Sequence, residues 1–506
     1  MTNPLYDALF APHLGKQTPF IHVPDGQTLT HDAFSRMSAQ IAGALNAEGL
    51  TAGDRLALQV EKSPEALAVY AACVQKGIIF LPLNTAYTAV ELEYFIDNSG
   101  AKLVICDPGK EDSIAQITAR TGAALMSLGA DGSGSLMRAA STQSETTETT
   151  PRSGDDLAAF LYTSGTTGRS KGAMLSQNNL LSNAQVLKDY WGFSKDDVLL
   201  HALPIFHTHG LFVASNIILL SGGAMIFMRA FNPDTILAEM PRATTMMGVP
   251  TFYTRLLDHD GFTKNAAAHM RLFISGSAPM LSETHGQFEA RTGQRILERY
   301  GMTETNMNTS NPYEGERKAG TVGFPLPGVE LKVCDPENGA ELDQGEIGVL
   351  EVRGPNVFQG YWQMPEKTAE ELREDGFFIT GDLGMIDADG YVQIVGRGKD
   401  LIISGGYNIY PKEIELVIDD QPGVKESAVI GVPHPDFGES PVAVVVPEGD
   451  GPDITQITDA CHAALARFKH PRKIIICDAL PRNTMGKVQK NILRDEHNAL
   501  FANKES

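Results

Sequence analysis

What the chain is short of narrows the field first. It has five cysteines, Cys73, Cys106, Cys334, Cys461 and Cys477, scattered, odd in number and without C-x-x-C spacing. That argues against a disulfide framework and against zinc, and fits reduced structural thiols. Positive charge is scarce: 41 Lys and Arg stand against 62 Asp and Glu, a formal net charge of -21. Nucleic acid and anionic membrane both reward clustered cations, so neither is expected as a partner, and an anionic ligand must be met by local ones. No apolar run reaches the roughly 18 residues of a spanning helix. The N-terminal MTNPLYDALFAPHLGK lacks a basic stretch leading into an apolar one, so a cytoplasmic protein is expected. No repeat of about 20 to 50 residues is visible, which excludes a solenoid.

What is present is an ordinary globular composition, 42% apolar and 20% charged, over 506 residues. That length suits one large domain and at least one smaller one. Helical patterns (HDAFSRMSAQIAGALNAEGL, SPEALAVYAACVQKG) alternate with short apolar runs (RLALQV, IIFLPL, KLVICD). The alternation predicts an α/β layer with a largely parallel sheet. A polar stretch between Arg138 and Asp156 reads as a mobile surface connection. The alternation then resumes through LAAFLYT, VLLHAL, AMIFM, TMMGV and RLFISG. Between Gly328 and Gly354 it becomes strand, turn, strand, a small β unit. From Gly396 it changes again: paired strands (YVQIVG, LIISGGY) precede a helix opened by Pro411. The expected division is a large domain over 1–396 and a small α+β domain over 397–506, a normal domain size.

The stretch Tyr162 to Gly172 reads YTSGTTGRSKG. A glycine- and hydroxyl-rich loop after an apolar strand is an anion cradle, and Lys171 adds charge to it. It is not a Walker A loop, because Lys171 precedes Gly172 instead of following a glycine. Four other stretches carry chemistry. ERYGMTET, Glu298 to Thr305, joins an aromatic face to Thr303 and Glu304. FFITGDLG ends a strand with Asp382, suited to a ribose diol. GRGKDLIISGGYNIYPKEIE puts Arg397 and Lys399 at a domain joint, before a Gly-Gly hairpin. PRNTMGKVQK carries Lys487 after Gly486.

In this order and separation, these motifs identify the chain as a member of the ANL superfamily of acyl-adenylate-forming enzymes, over nearly its whole length. The resemblance implies that a carboxylate attacks the α-phosphorus of ATP, giving acyl-AMP and pyrophosphate, after which the thiol of coenzyme A displaces AMP. It assigns Thr163, Ser164, Gly165, Thr166, Thr167, Gly168 and Lys171 to the β- and γ-phosphates, where preorganised donors stabilise departing pyrophosphate. Glu304, with Thr163 beside it, is the implied Mg²⁺ contact. Ser277, Ala278 and Pro279 line the nucleotide together with Glu298, Arg299, Tyr300, Gly301 and Met302, with Tyr300 against adenine. Thr303 bonds the α-phosphate, Asp382 takes the ribose hydroxyls and Arg397 reaches ribose or phosphate. Lys487 bridges the attacking carboxylate and the α-phosphate. Lys399 matches the hinge about which the small domain turns between half-reactions. Gly406 and Tyr407 match the tunnel for the pantetheine arm.

The acyl pocket is expected from PIFHTHGL, GVPTFYTRLL, ISGSAPM and TETNMNTS. A fatty acid needs an apolar tunnel, whereas these segments carry His207, His209, Arg255, Ser277 and Asn306. Phe252, Tyr253, Leu256 and Leu257 suggest a mostly buried helix around Arg255, in which an unpaired guanidinium would cost several kcal/mol. An anionic substrate group would resolve that, and the planar fork of Arg matches a carboxylate. These segments are very similar to malonyl-CoA synthetases, which implies malonate held by Arg255 and Ser277, His207 next to the acyl site, and Thr208 and Met307 near the α-carbon. The expected small-molecule partners are malonate, ATP and coenzyme A, with a lysine acetyltransferase acting on Lys487 as a regulatory partner. Methylmalonate or another small acid, an adenylation module loading a carrier protein, and a non-catalytic nucleotide-binding protein remain as alternatives.

Overall fold

The computed structural model describes residues 2–24, 26–163, 170–278, 280–404, 407–434, 437–465, 467–483 and 486–501, with the backbone alone at 407 and 408. Strand and helix alternate as expected, and the strands collect into two mainly parallel sheets. In the first, Ala124–Ser127, Leu103–Cys106, Arg55–Gln59, Ile79–Pro82 and Leu157–Thr163 lie side by side and parallel. Lys171–Ser176 closes that edge antiparallel to Leu157–Thr163. In the second, Leu297–Met302, Leu272–Ser275, Thr245–Gly248, Val198–His201, Ala224–Phe227 and Pro19–His22 run parallel. Asn306–Ser310 extends that sheet antiparallel beyond Leu297–Met302. Strands such as Leu103–Cys106 and Thr245–Gly248 are buried at every residue, which is why they read as unbroken apolar runs.

The helices begin and end where local chemistry allows. The side chain of Ser63 caps Pro64–Lys76, and Gly77 ends that helix in the left-handed conformation at φ 67. Ser176 and Asn179 form a reciprocal capping box on Gln177–Tyr190. Residues 141–156 are irregular, as expected, but they are pinned rather than loose. Thr150 N donates to Gln75 O at 2.9 Å, and Lys76 Nζ donates to Thr147 Oγ1 at 2.6 Å and Glu148 O at 2.7 Å. The polar composition serves as hydrogen-bond partner to a buried helix end.

By compactness the chain divides into two units, Met1–Gly276 with Met280–Glu330 and Val352–Phe378, and Ser277–Pro279 with Leu331–Glu351 and Ile379–Ser506. This division does not follow the boundary expected at 396/397, because residues 331–351 and 379–396 cluster with the C-terminal part. They supply a sheet ordered Glu330–Cys334, Gly348–Arg353, Phe378–Ile386, Val392–Arg397. The pairing of 391–396 with 401–407 read from sequence is also corrected. Val392–Arg397 pairs with Phe378–Ile386, whereas Ile402–Ser404 pairs with Tyr407–Ile409 in a different sheet. In that C-terminal sheet the period of two sorts Ala428, Ile430, Val442 and Val444 into one core with Leu493, and Val429, Ala443 and Val445 into another with Ile414 and Ile418. No helix among the described residues is long and apolar enough to cross a membrane.

Lys62 is 6% exposed, and its ammonium is enclosed on three sides. Nζ lies 2.9 Å from His201 Nδ1, 2.8 Å from His201 O and 2.8 Å from Leu203 O, and 4.2 Å from the centre of the Phe227 ring. Burial, and then the Lys62 charge, push the pKa of His201 well down. Its neutral ring therefore accepts at Nδ1 and donates from Nε2 to Gly210 O at 2.9 Å. Gly210 belongs to the π-helical turn His209–Ser215, a local irregularity of the kind that often marks functional sites. Replacing Lys62 by Met should cost about 3 kcal/mol in a denaturant titration, because it strands three buried acceptors. An unchanged midpoint would show that they find other donors.

Candidate functional site

Thr163 and Lys171 face each other as the last pair of the antiparallel edge strands. They form the stem of the loop singled out in the sequence. Ser164, Gly165, Thr166, Thr167 and Gly168 lie outside the described residues, as do Pro279 and Gly406. At the stem, Lys171 Nζ meets both oxygens of Glu371 at 3.1 Å and stands 4.1 Å from the Tyr361 ring centre. Tyr361 Oη in turn lies 2.6 Å from Glu371 Oε2 and 3.0 Å from Glu304 Oε1. One chain of contacts thus joins the expected phosphate cation to the expected metal carboxylate. Sequence reasoning missed Tyr361 and Glu371, because nothing in GYWQMPEKTAEELRE marks them apart from a surface helix.

Glu304 is 5% exposed and sits in the tight connection between Leu297–Met302 and Asn306–Ser310, beside half-buried Thr303. Tyr300, Gly301 and Met302 are half-buried at the end of the first strand. At Gly301 a side chain is excluded, since a Cβ would fall 1.9 Å from Asn306 O. The connection is further held by Asn183, whose Nδ2 donates to Met307 O at 2.8 Å, and by Asn356, whose Nδ2 donates to Thr305 O at 2.7 Å. Met307 is buried. Asn306 is 1% exposed with φ 51, and neither atom of its amide has a partner among the described residues. Ser277, half-buried beside half-buried Ala278, is likewise left-handed, at φ 71. Such backbone costs of order 1–3 kcal/mol at a non-glycine residue and clusters at ligand sites.

The sequence led us to expect a buried guanidinium at Arg255, and the structure corrects that. In the helix Pro250–Leu257, Tyr253, Leu256 and Leu257 are buried while Thr254 and Arg255 are exposed. Three apolar residues at i, i+3 and i+4 put Arg255 on the opposite face. The buried guanidinium is instead Arg299, 3% exposed, with Nε and Nη2 unpartnered among the described residues. Gly276 packs against it, for a Cβ there would lie 2.4 Å from Arg299 Cζ. Burial pulls the pKa of Arg299 down to about 9. Glu298, grouped with the nucleotide residues in the sequence, turns its carboxylate to His285 Nδ1 at 3.3 Å and Gly320 N at 3.4 Å. Both contacts fall on Oε1, and burial raises the pKa of the carboxyl. His207 is held down to about 4 by burial, and His207 Nε2 and Thr208 Oγ1 have no partner among the described residues. His209 is depressed by burial and then by the Arg299 charge, which places these groups in one electrostatic neighbourhood.

In the second unit Asp382 and Arg397 oppose each other across adjacent strands, Arg397 Nε to Asp382 Oδ1 at 2.7 Å. Lys399 lies in the 3₁₀ turn Gly398–Asp400, its pKa lowered by burial. Tyr407 begins the strand Tyr407–Ile409. Lys487 is lowered to about 8, first by burial and then by the Arg397 charge. In NMR of the free protein, the Lys487 amine should titrate near pH 8, whereas exposed lysines titrate above about 10. Titration together with the exposed lysines would contradict this electrostatic environment.

Residues 12–362 match the family model described as AMP-binding enzyme, and residues 413–487 match the AMP-binding enzyme C-terminal domain. The ATP-bound crystal structure of MatB from Rhodopseudomonas palustris is 57% identical and superimposes with a TM-score of 0.97, covering 99% of this chain and 100% of that one. A feruloyl-CoA synthase from Amycolatopsis is 35% identical over 478 residues, 93% of this chain and 94% of its own. The malonate–CoA ligase of Arabidopsis thaliana is 34% identical over 480 residues, 88% of this chain and 78% of its own. With both parts matched in order and the backbone superimposable nearly end to end, the chain belongs to the AMP-binding enzymes of the acyl-adenylate-forming superfamily.

Proposed function

We propose that the protein is an AMP-forming malonate–CoA ligase. One carboxylate of malonate attacks the α-phosphorus of ATP, and the bond to pyrophosphate breaks. The coenzyme A thiol then attacks the acyl carbon, releasing AMP and a proton. The likeness to MatB and to malonate–CoA ligase supports this choice over feruloyl transfer. The observation that carries it is the polar character of the acyl segments. A ferulate pocket needs a broad apolar wall, whereas His207 Nε2, Thr208 Oγ1, both amide atoms of Asn306, and Nε and Nη2 of Arg299 are buried polar atoms without partners among the described residues. Such groups are stabilised by a charged or hydrogen-bonding ligand and penalised by an apolar one.

Lys171 and the loop that it follows would hold the β- and γ-phosphates, and Tyr300, Asp382 and Arg397 the nucleoside. A magnesium ion fits the buried carboxylate of Glu304, an oxygen ligand of the kind this ion takes one or two of alongside phosphate; bound there, it would neutralise charge on the departing pyrophosphate. Thr303 donates to the α-phosphate. Lys487 neutralises the repulsion between the attacking carboxylate and that phosphate, and a lysine acetyltransferase acting on it would remove the charge. Lys399 serves as the hinge of the 397–506 segment, and Gly406 and Tyr407 line the pantetheine path. Arg255 and Ser277 hold the distal carboxylate, with Arg255 acting from the exposed face of its helix. Thr208 and Met307 limit substituents at the α-carbon. A cytoplasmic location accords with the scattered spacing of the five cysteines.

AMP release measured with ATP, coenzyme A and a panel of acids should be strong with malonate and weak with acetate, propionate and ferulate; ferulate as the best substrate would overturn the reading. Arg255→Ala should cut the preference for malonate over acetate by about one to two orders of magnitude, the worth of a charge-assisted pair. Lys487→Ala should slow malonyl-AMP formation by orders of magnitude in single turnover while ATP binding stays within a few-fold. Native-rate adenylation by that variant would remove Lys487 from the first half-reaction.

A further inference from the structure

The Lys171–Glu371–Tyr361–Glu304 chain has more order than ion pairing demands. Glu371 gathers three donors: Lys171 Nζ at 3.1 Å to each oxygen, Lys367 Nζ at 3.0 Å to Oε1 and Tyr361 Oη at 2.6 Å to Oε2. These outweigh the effect of burial and hold its carboxyl below the usual range, so it is ionised. A phenol has one proton and ionised carboxylates only accept, so Tyr361 donates to one of its two neighbours at a time. The hydroxyl is within hydrogen-bond reach of both, 2.6 Å from Glu371 Oε2 and 3.0 Å from Glu304 Oε1, so its one proton is shared between the pair. An ammonium has three N–H groups, and at most two of those on Lys171 are spent on Glu371. The remaining one is aimed by the carboxylate on one side and the Tyr361 ring on another.

Resting on the proposed use of Lys171 and Glu304, we propose that Glu371 is a positioning residue for MgATP. It fixes the direction of the free Lys171 N–H toward phosphate, and through the Tyr361 hydroxyl it sets the phosphate cation and the metal carboxylate in one register. The second cation on Glu371, Lys367, keeps that half-buried carboxylate paired when Lys171 shares its charge with a ligand.

The test is a double-mutant cycle on MgATP binding, read by calorimetry without any acid substrate. Lys171→Met and Glu371→Gln should each weaken MgATP by about tenfold, the worth of one charge-assisted hydrogen bond. The pair together should be no weaker than Lys171→Met alone, because Glu371 acts through Lys171. Tyr361→Phe should leave the affinity for ATP without magnesium unchanged and raise the magnesium concentration needed for half-maximal binding. Additive losses in the double variant would reduce Glu371 to a structural role. Tighter binding by Glu371→Gln would show competition with the phosphates instead of aiming, and either result overturns the proposal. Failure of the wild-type protein to bind MgATP would instead sink the nucleotide reading on which it stands, and so the inference with it. Lys171→Met and Glu371→Gln keep side-chain size at partly exposed positions, and a thermal melt confirms folding.

Discussion

A lysine amine buried among neutral acceptors, its pKa pulled well below the usual value by that burial, constrains the strand exit built around it. Lys62 sits where the first parallel sheet meets the second, and its three nearest acceptors are the ring and carbonyl of His201 and the carbonyl of Leu203. Those two residues lie at the end of a central strand, where the chain leaves the sheet and turns toward His207 and Thr208. An ammonium with three donors and three fixed acceptors leaves that exit one geometry. The same imidazole reaches onward to Gly210, so the π-helical turn is tied to the sheet through two hydrogen bonds in series. A polar network of this kind contributes little net stability when complete, yet its partial loss is costly. Its effect is to specify which way the 203–215 segment points.

The sequence disclosed those parts of the molecule whose chemistry is local. Unbroken apolar runs pointed to the parallel strands, and Pro411 opened its helix where expected. The hydroxyl- and glycine-rich loop, ERYGMTET and the lysine after Gly486 stood out because their residue types have few other uses together. Arg255 was misread for a reason visible in the sequence itself. Apolar neighbours were counted without being placed on the helical wheel, and the wheel puts Arg255 opposite Tyr253, Leu256 and Leu257. Arg299 was passed over as one more residue of a nucleotide motif, although a guanidinium between Glu298 and Tyr300 in a central strand has little access to water. Tyr361 and Glu371 were not legible at all. Their meaning arises from contacts with Glu304 and Lys171, 57 and 200 positions away in the chain, and single-sequence periodicity carries no such information.

Backbone strain points the same way as the orphaned polar atoms. Ser277 and Asn306 both hold left-handed backbone that glycine would adopt freely, and both fall in segments expected to contact the substrate. Gln363, exposed and at φ 54, shares that backbone outside those segments, so the strain carries weight at Ser277 and Asn306 only through where they lie.

A lysine whose acid constant sits close to physiological pH has a second chemical life as an amine. At pH 7.5 a group with a pKa of about 8 is roughly one quarter neutral, against about one part in a thousand for an ordinary lysine. Lys487 therefore holds far more neutral amine than an exposed lysine does. The lowered basicity leaves this half-buried amine more able than an exposed lysine to react with active esters and other acylating electrophiles.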